Sequence, residues 1–453
     1  MGSIFGVRDY RHLFGAQLVA LFGTGLATVA LGLLAYELAD SDAAAVLGTA
    51  LALKMVAYVL IAPIAGAFAD RLPRRGALVG LDAVRAAVVL ALPFVDHVWQ
   101  VYVLVVVLQS ASAAFTPTFQ AALPDVLPDE QQYTRALSYS QLASTMETLL
   151  SPLLAAVLVS VVSFHWLFVA TAGGFVVSAV LVGSSRVPDA PDVQRGGIFD
   201  RALAGVVIFR ATPRLRGLLG MNLVVAAVGS IVMVNTVNYV QETLGRAASS
   251  VAVLLACNGI GVIAAAVVVP GLLRRRPERD VMLAGCGILI GATGAALALS
   301  LAGDGGWRWP AVGMIWAVIG VGSGVVLTPV GRVLRRSSSA ADRPAVFAAQ
   351  FSLSHGCWLV AYPLAGWGAT EWGYTPTWTV LGLLAATGVV TASRAWPAHD
   401  PEVLVHDHDA PVEADHLVHA VPADGGRWRH EHVFVIDDRH HRWPDVASAH
   451  VHR

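Results

Sequence analysis

The chain has little charge, little cysteine and almost no lysine. Charged residues make up 13% of its 453 positions, Lys54 is the single lysine, and the formal net charge is −1. Such a balance lacks the basic footprint of a nucleic-acid binder, so no nucleic-acid partner is expected. The three cysteines, Cys257, Cys286 and Cys357, lie far apart inside apolar segments. They exclude a disulfide framework and a paired-cysteine zinc site. No nucleotide-binding loop, nucleophile elbow or pair of catalytic carboxylates is apparent, so the sequence reads as a non-enzyme with no covalently bound cofactor. No cleavable signal peptide is evident, because the first apolar run is too long and the next follows without a small-residue cleavage site.

Apolar sequence is what the chain has in abundance. Hydrophobic residues make up 56% of it, and the mean hydropathy is +0.64. That composition excludes an ordinary soluble domain. A membrane-spanning helix needs about 20 apolar residues. Twelve predicted spans meet that length, at roughly 13–38, 44–69, 77–95, 99–122, 137–161, 164–184, 217–240, 250–273, 280–302, 309–333, 344–369 and 373–393. The hydrophilic stretch 185–216 divides them six and six. The expected fold is an all-α membrane protein of two six-helix bundles, 1–184 and 217–393. A central cytoplasmic loop, 185–216, joins them. A polar tail, 394–453, follows and is expected to be largely disordered.

The halves repeat. Thr116-Pro117 late in span 4 answers Thr328-Pro329 late in span 10, and Ser151-Pro152-Leu153 answers Tyr362-Pro363-Leu364. Arginines collect before span 1, in loops 2–3, 8–9 and 10–11, and in the central stretch. Asp40, Asp42, Asp96, Asp304 and Glu371 fall on the other side. The positive-inside rule therefore predicts a plasma-membrane (inner-membrane) protein with both termini in the cytoplasm. Membrane lipid is its expected surrounding, and it is expected to be a monomer.

Polar groups inside predicted spans are functional suspects. Span 5 carries Ser140, Ser144, Glu147 and Ser151 at i, i+4, i+7 and i+11, on one helical face. The repeat maps this stripe onto Phe351, His355, Trp358 and Tyr362 of span 11. Lys54 in span 2 needs a partner or water, and Glu147, Asp82 or Glu37 could supply it. Glu147 reads either as an ion pair that holds the bundle or as a carboxylate that exchanges protons and binds cationic cargo. His355 reads either as a hydrogen-bonded packing residue or as a metal ligand and protonation switch. Cys357 is two positions away, about 200° round the helix, so joint ligation would require unwinding at Gly356. Gln17, Thr24, Thr28, Gln109, Asn222, Asn235 and Asn238 are weaker cargo candidates, and helix–helix hydrogen bonding explains them as well.

The tail holds eleven of the fifteen histidines. His406-x-His408, His430-x-His432 and His440-His441 set imidazoles close together among carboxylates. Such tracts bind Ni²⁺, Zn²⁺, Co²⁺ or Cu²⁺. Without fixed zinc-finger spacing, several loose sites are expected; the alternative is a solvated tail of unusual composition.

The charged stretch between spans 2 and 3 is the most specific signal. Gly66-x-x-x-Asp70-Arg71-x-x-Arg74-Arg75, with Pro73 in the turn, resembles the loop between the second and third helices of the major facilitator superfamily. The resemblance implies two pseudo-symmetric bundles with a midplane site between them. It implies a cytoplasmic gate made by these residues with Asp82 and Arg85. Gly271…Arg274-Arg275-Arg276 in the second half reads as a degraded copy without the aspartate. Leu123-Pro124-Asp125 with Ala136-Leu137-Ser138 is similar to the enterobactin-exporter-like group. Phe347–Trp358 and Tyr362–Gly366, with the histidine-rich tail, resemble nickel-resistance exporters of the NreB type. The expectation is proton-coupled efflux of a divalent metal, Ni²⁺ or Co²⁺, with protons as the coupling ion. The alternatives are a proton-coupled multidrug or siderophore exporter and a membrane metal sensor that transports nothing.

Overall fold

The computed structural model describes residues 4–68, 73–127, 129, 132–133, 136, 139–140, 143, 147, 151, 154–155, 157–159, 161–187, 198–303, 305–339, 342–408, 421–423, 427–436, 440 and 442–444. Asp70, Arg71, Ser144 and His441 lie outside the described residues. The first half contains α1 (Arg8–Ala39), α2 (Ala43–Phe68), α3 (Arg74–Ala91), α4 (Val98–Val126) and α5 (His165–Gly183). Between α4 and α5, the described members of predicted span 5, including Ser140, Glu147 and Ser151, are helical. Next comes α6 (Ile198–Ala211), then α7 (Pro213–Ser230), α8 (Ala248–Leu272), α9 (Glu278–Leu301), α10 (Arg308–Leu327), α11 (Val330–Arg336), α12 (Arg343–Trp372) and α13 (Tyr374–Ala395).

Ten helices among the described residues are long and apolar enough to cross a membrane. Lipid offers no partner for a free backbone N–H or C=O, so an uncharged run of this length must close its hydrogen bonds internally, as a helix does. Span 11 appears as α12, a 30-residue helix. Gln350, Ser352, Ser354 and His355 make it more polar than its neighbours. Turn residues separate the spans where the sequence supplies them. Gly245 (φ +60°) follows α7, and Gly373 (φ +79°) joins α12 to α13; only glycine adopts these angles readily. After Ser230, α7 continues through π turns at Ile231–Asn235 and Tyr239–Thr243, a departure that often marks a working segment of a helix.

Two parts of the expected layout gain detail. The predicted loop 185–216 contains a helix: α6 packs against α12, with Gly205 at the Ala345 carbonyl. The tail also contains regular structure. Among its described residues, β1 (Val403–His408), β2 (Val421–Ala423) and β3 (Arg427–Val433) form an antiparallel sheet in the order β1-β3-β2. The reason is hydrophobic: Leu404, Phe434, Ile436 and Trp443 join the core of the second half. The acidic composition of the tail hid these anchors.

The two halves meet mainly through α2 and α12. At the end away from the tail the contact is tight. A Cβ on Gly48 would lie 2.7 Å from the Tyr362 carbonyl oxygen and 2.9 Å from Gly366 Cα. Small residues here let the two backbones touch. Trp367 donates to the Thr49 hydroxyl at 3.0 Å, and Asn238 donates to the Ser41 carbonyl at 3.4 Å.

Candidate functional site

Lys54 lies twelve residues into α2, where an unpaired ammonium would be costly. It interacts electrostatically with Glu147 and with the His355 ring. One turn on, the Tyr58 ring sits 5.9 Å from Lys54 Nζ, at cation–π range. Tyr58 stacks on His355 of α12 with centroids 5.3 Å apart and planes 5° apart, and lies 5.5 Å from Phe351. Residues of span 2, span 5 and α12 therefore meet at the seam between the halves. The sequence left three partners open for Lys54, and Glu147 is the one whose charge acts on it. Asp82 is committed elsewhere, and Glu37 lies 3.8 Å from His165.

The stripe on span 5 faces α1. Ser140 donates to Gln17 at 2.8 Å. Glu147 and Ser151 lie against Gly25, where a Cβ would sit 2.7 Å from a Glu147 carboxylate oxygen and would overlap Ser151. Gly25 and Tyr58 escaped the sequence reading. Tyr58 could have been found, since it stands at i+4 from Lys54. Gly25 is one of 43 glycines, and nothing local distinguishes it.

Beside Lys54 is a cavity of about 20 Å³ lined by Thr24, Thr28, Gln109 and Ser112. That is room for about one water. Thr24, Thr28 and Ser112 donate their hydroxyl protons to carbonyls one turn earlier in their own helices, at 2.9, 3.0 and 2.9 Å. Their oxygens remain acceptors, and Gln109 Oε1 is buried without a hydrogen-bond partner. The cavity thus offers acceptors to the three donors of an ammonium. Asn222 and Asn235, in contrast, make helix–helix bonds, to Gln350 at 3.2 Å and to the Ala365 carbonyl at 2.8 Å.

His355 Nδ1 lies 2.6 Å from the Phe351 carbonyl oxygen. A carbonyl only accepts, so Nδ1 carries the proton and a neutral ring keeps its lone pair on Nε2. Cys357 does not share this environment. It packs with Ala226 of α7 and with Ala361, while His355 faces Tyr58 of α2. Joint metal ligation by His355 and Cys357 is therefore corrected: the helix is continuous through Gly356 and holds the two side chains apart. Trp358 occupies a notch at Gly229 of α7, and its ring lies 4.9 Å from Tyr362. Among the described residues no three His, Cys, Asp or Glu side chains come together as a metal site.

The expected gate residues divide. Gly66 lies in α2, and Arg75 donates to the Gly183 carbonyl at the end of α5. Arg74 is buried. Asp82 accepts from Arg85 and, at 2.7 Å, from Ser178. The Arg85 guanidinium lies over the Phe115 and Phe175 rings at 4.1 and 4.5 Å. This pair is a seam inside the first bundle, joining α3 to α4 and α5. Its role in a gate with Asp70 and Arg71 rests on residues outside those described.

The second half has a carboxylate that the degraded-motif reading missed. Buried Glu278 forms an ion pair with Arg332 at 2.5 Å and accepts from Arg336 at 3.4 Å. Arg336 also pairs with Glu402 at 2.9 Å, and Arg214, 1% exposed, pairs with Asp400 at 3.3 Å. Trp396 donates to Asp400 at 3.0 Å, and Trp443 lies 5.0 Å from the Arg214 guanidinium. The network ties α7, α9 and α11 to the root of the tail. In the sheet, His406 stands opposite His430, and the His432 and His440 rings are 5.0 Å apart.

The sequence profile of the Major Facilitator Superfamily matches residues 13–316. Macrolide efflux protein A of Streptococcus pyogenes is 27% identical over 185 residues, 40% of this chain and 45% of that protein. An uncharacterized MFS-type transporter of Bacillus subtilis, YfiS, is 30% identical over 124 residues, 27% of this chain and 30% of that one. The chain thus spans less than half the length of these curated relatives. Among solved structures, the inward-facing, unoccupied bacterial homologue of the human lysosomal transporter Spinster aligns with a TM-score of 0.63 at 15% identity, over 86% of this chain and 97% of that one. A peptide transporter, POT, in complex with sulfate aligns at 0.64 and 16%, over 86% and 96%. At such identities the likeness concerns the fold.

Proposed function

Because the chain belongs to the Major Facilitator Superfamily, we propose that it exports a small amphipathic organic cargo by alternating access, with protons as the coupling ion. The observation that carries this reading is the Tyr58–His355 stack at the seam between the halves, with the Lys54 ammonium over the Tyr58 ring and the Glu147 charge acting on Lys54. Rings offer apolar contact area and a site for cationic groups. The carboxylate offers a place where a proton and a basic cargo group compete. The tight Gly48–Gly366 contact closes the end away from the tail, and the space beside Lys54 holds no more than a water. Loading requires opening toward the tail side, which the positive-inside rule makes the cytoplasm of a plasma-membrane protein.

When a proton or cationic cargo takes Glu147, Lys54 loses its counter-charge. The Thr24, Thr28, Gln109 and Ser112 oxygens then receive its ammonium. Release toward the other side restores the pair, so one charge alternates between two stations as the halves rock. The macrolide efflux relatives support an organic cargo. His355 suits a divalent metal less well, since Lys54 adds positive charge beside it.

A second reading, efflux of Ni²⁺ or Co²⁺, is favoured by the tail. His406 pairs with His430 and Leu404 with His432 in the backbone register, and histidines at such spacing suit divalent metal. One assay separates the readings. Proteoliposomes with an imposed pH gradient are tested with a macrolide, a cationic dye, Ni²⁺ and Co²⁺. Export of the organic compounds, lost in Glu147→Gln, is the expected result. Metal flux without dye or macrolide flux overturns the organic reading, and flux indifferent to both Glu147→Gln and the pH gradient overturns proton coupling.

A further inference from the structure

A second site lies on the flank of the second half, far from the Lys54 pair and independent of the transport reading. Helices α8 and α10 run side by side in the same direction. They touch closely where Gly261 meets the Ala317 carbonyl and Gly320 meets the Asn258 carbonyl. Toward the end away from the tail they part. A groove of about 410 Å³ opens there, lined by Val253, Leu254, Cys257, Trp309, Gly313 and Met314. Its wall is almost wholly apolar, and Val253 and Met314 are 50% and 69% exposed. On a membrane-spanning surface such a groove faces acyl chains.

The mouth of the groove is charged. Gly245, in its left-handed turn, ends the α7 segment, and the next residue is Arg246. The Arg246 guanidinium lies over the Trp309 ring at 4.3 Å. Trp309 thus lines the groove with one part of its ring and carries the cation with another. No carboxylate of the described residues lies within ion-pair distance of Arg246; nearby Glu242 accepts from Asn238 at 3.1 Å. The cation is exposed, oriented and at the depth where tryptophans mark the membrane interface.

We infer that the α8–α10 groove binds one anionic phospholipid of the leaflet away from the tail, its acyl chain along Gly313 and Cys257 and its phosphate on Arg246. An apolar slot capped by one arginine matches a molecule with a hydrocarbon chain ending in a phosphodiester. Net negative charge is selected because a zwitterionic headgroup brings its own ammonium to the cation.

The slot depends on Gly313. A Cβ there would sit 3.7 Å from Cys257 Sγ and 3.9 Å from Leu254 Cδ2, ordinary contacts. Gly313→Ala should therefore leave the groove usable, whereas Gly313→Phe should fill it. Cys257 is half-buried, while Cys286 and Cys357 are buried, so the wild-type chain carries its own reporter.

Delipidated full-length protein in detergent is titrated with phosphatidylglycerol or with phosphatidylcholine of the same chain length, and bound lipids are counted by native mass spectrometry. In parallel, maleimide labelling of Cys257 is timed. The first phosphatidylglycerol should bind about ten-fold tighter than phosphatidylcholine, the ratio expected from one charge-assisted contact. It should slow Cys257 labelling. Arg246→Gln should erase the preference while keeping the slot, Gly313→Phe should remove one bound lipid, and Gly313→Ala should do neither. Equal binding of the two lipids by wild type, or Cys257 labelling unchanged by phosphatidylglycerol, overturns the proposal without recourse to any variant. An unchanged lipid count in a folded Gly313→Phe protein overturns it as well.

Discussion

The two halves share a fold but place their charges differently. In the first half, Lys54, Asp82, Arg85 and Glu147 lie deep within spans. In the second half every described charged residue between Pro213 and Ala395 lies near a helix end. The interior of that half is held by neutral bonds: Trp316 to the Thr236 hydroxyl at 2.8 Å, Trp378 to Asn235 at 3.2 Å, and Asn222 to Gln350 at 3.2 Å. Neutral bonds do not respond to a proton, whereas a buried ion pair does. The first half therefore reads as the part that senses charge. The second reads as a frame that presents Phe351 and His355 to it.

Removing the Lys54 or Glu147 charge should have the largest effect. Lys54 and Glu147 are partly buried, so removing one charge should cost less than the about 3–5 kcal/mol of a fully buried ion pair, while replacing both with neutral groups of similar size is often tolerated. Lys54→Met is expected to lower the thermal unfolding midpoint strongly and to stop export. Lys54→Met with Glu147→Gln is expected to recover the midpoint and not the export. Thermal unfolding and dye efflux on the same preparations check this. A double variant that exports normally would mean that the first half senses nothing through these residues.

The rim of the second half comes next. Arg336 joins Glu278, Asp400 and Glu402. Arg336→Met removes these bonds from a partly exposed site and should cost about 2 kcal/mol. It should loosen the tail sheet, so that limited proteolysis cuts within 396–443 before it cuts the helices. Export should persist, because none of these groups touches the Lys54 site. Cleavage at the wild-type rate would show that the hydrophobic anchors Leu404, Phe434, Ile436 and Trp443 suffice.

These two sites also show what could be read from sequence. Lys54, Glu147 and His355 were visible because a titratable group inside an apolar run is conspicuous and i+4 and i+7 spacings are periodic. Their meeting rested on a repeat between spans 5 and 11, and a repeat carries over from sequence to fold. Tyr58 was within reach, one turn from Lys54, but Gly25 was hidden, since it matters only for what another helix brings to it. Glu278 was hidden for a similar reason: it follows Pro277 at the start of α9 and looks like an exposed first-turn acid until Arg332 and Arg336 arrive from α11. The tail misled most. Its histidines and acids dominate the composition, while four spaced apolar residues dock it. Docking depends on a surface that composition does not describe.

The smallest expected effect is the most direct test of the frame. Thr236 sits between the two π turns, accepts from Trp316 Nε1 and donates to the Val232 carbonyl at 2.5 Å. Thr236→Val keeps the shape and removes the hydroxyl. It leaves the buried indole N–H without an acceptor, a loss of about 1–3 kcal/mol. If the second half is a frame, that loss appears in the unfolding midpoint alone, and the export rate with its dependence on the pH gradient stays at wild type. The π turns are the point of danger for this reading, because irregular helix often marks a moving part. Should Thr236→Val alter the pH dependence of export while barely moving the midpoint, α7 would be a working hinge. Charge in the first half would then be only one of two moving elements.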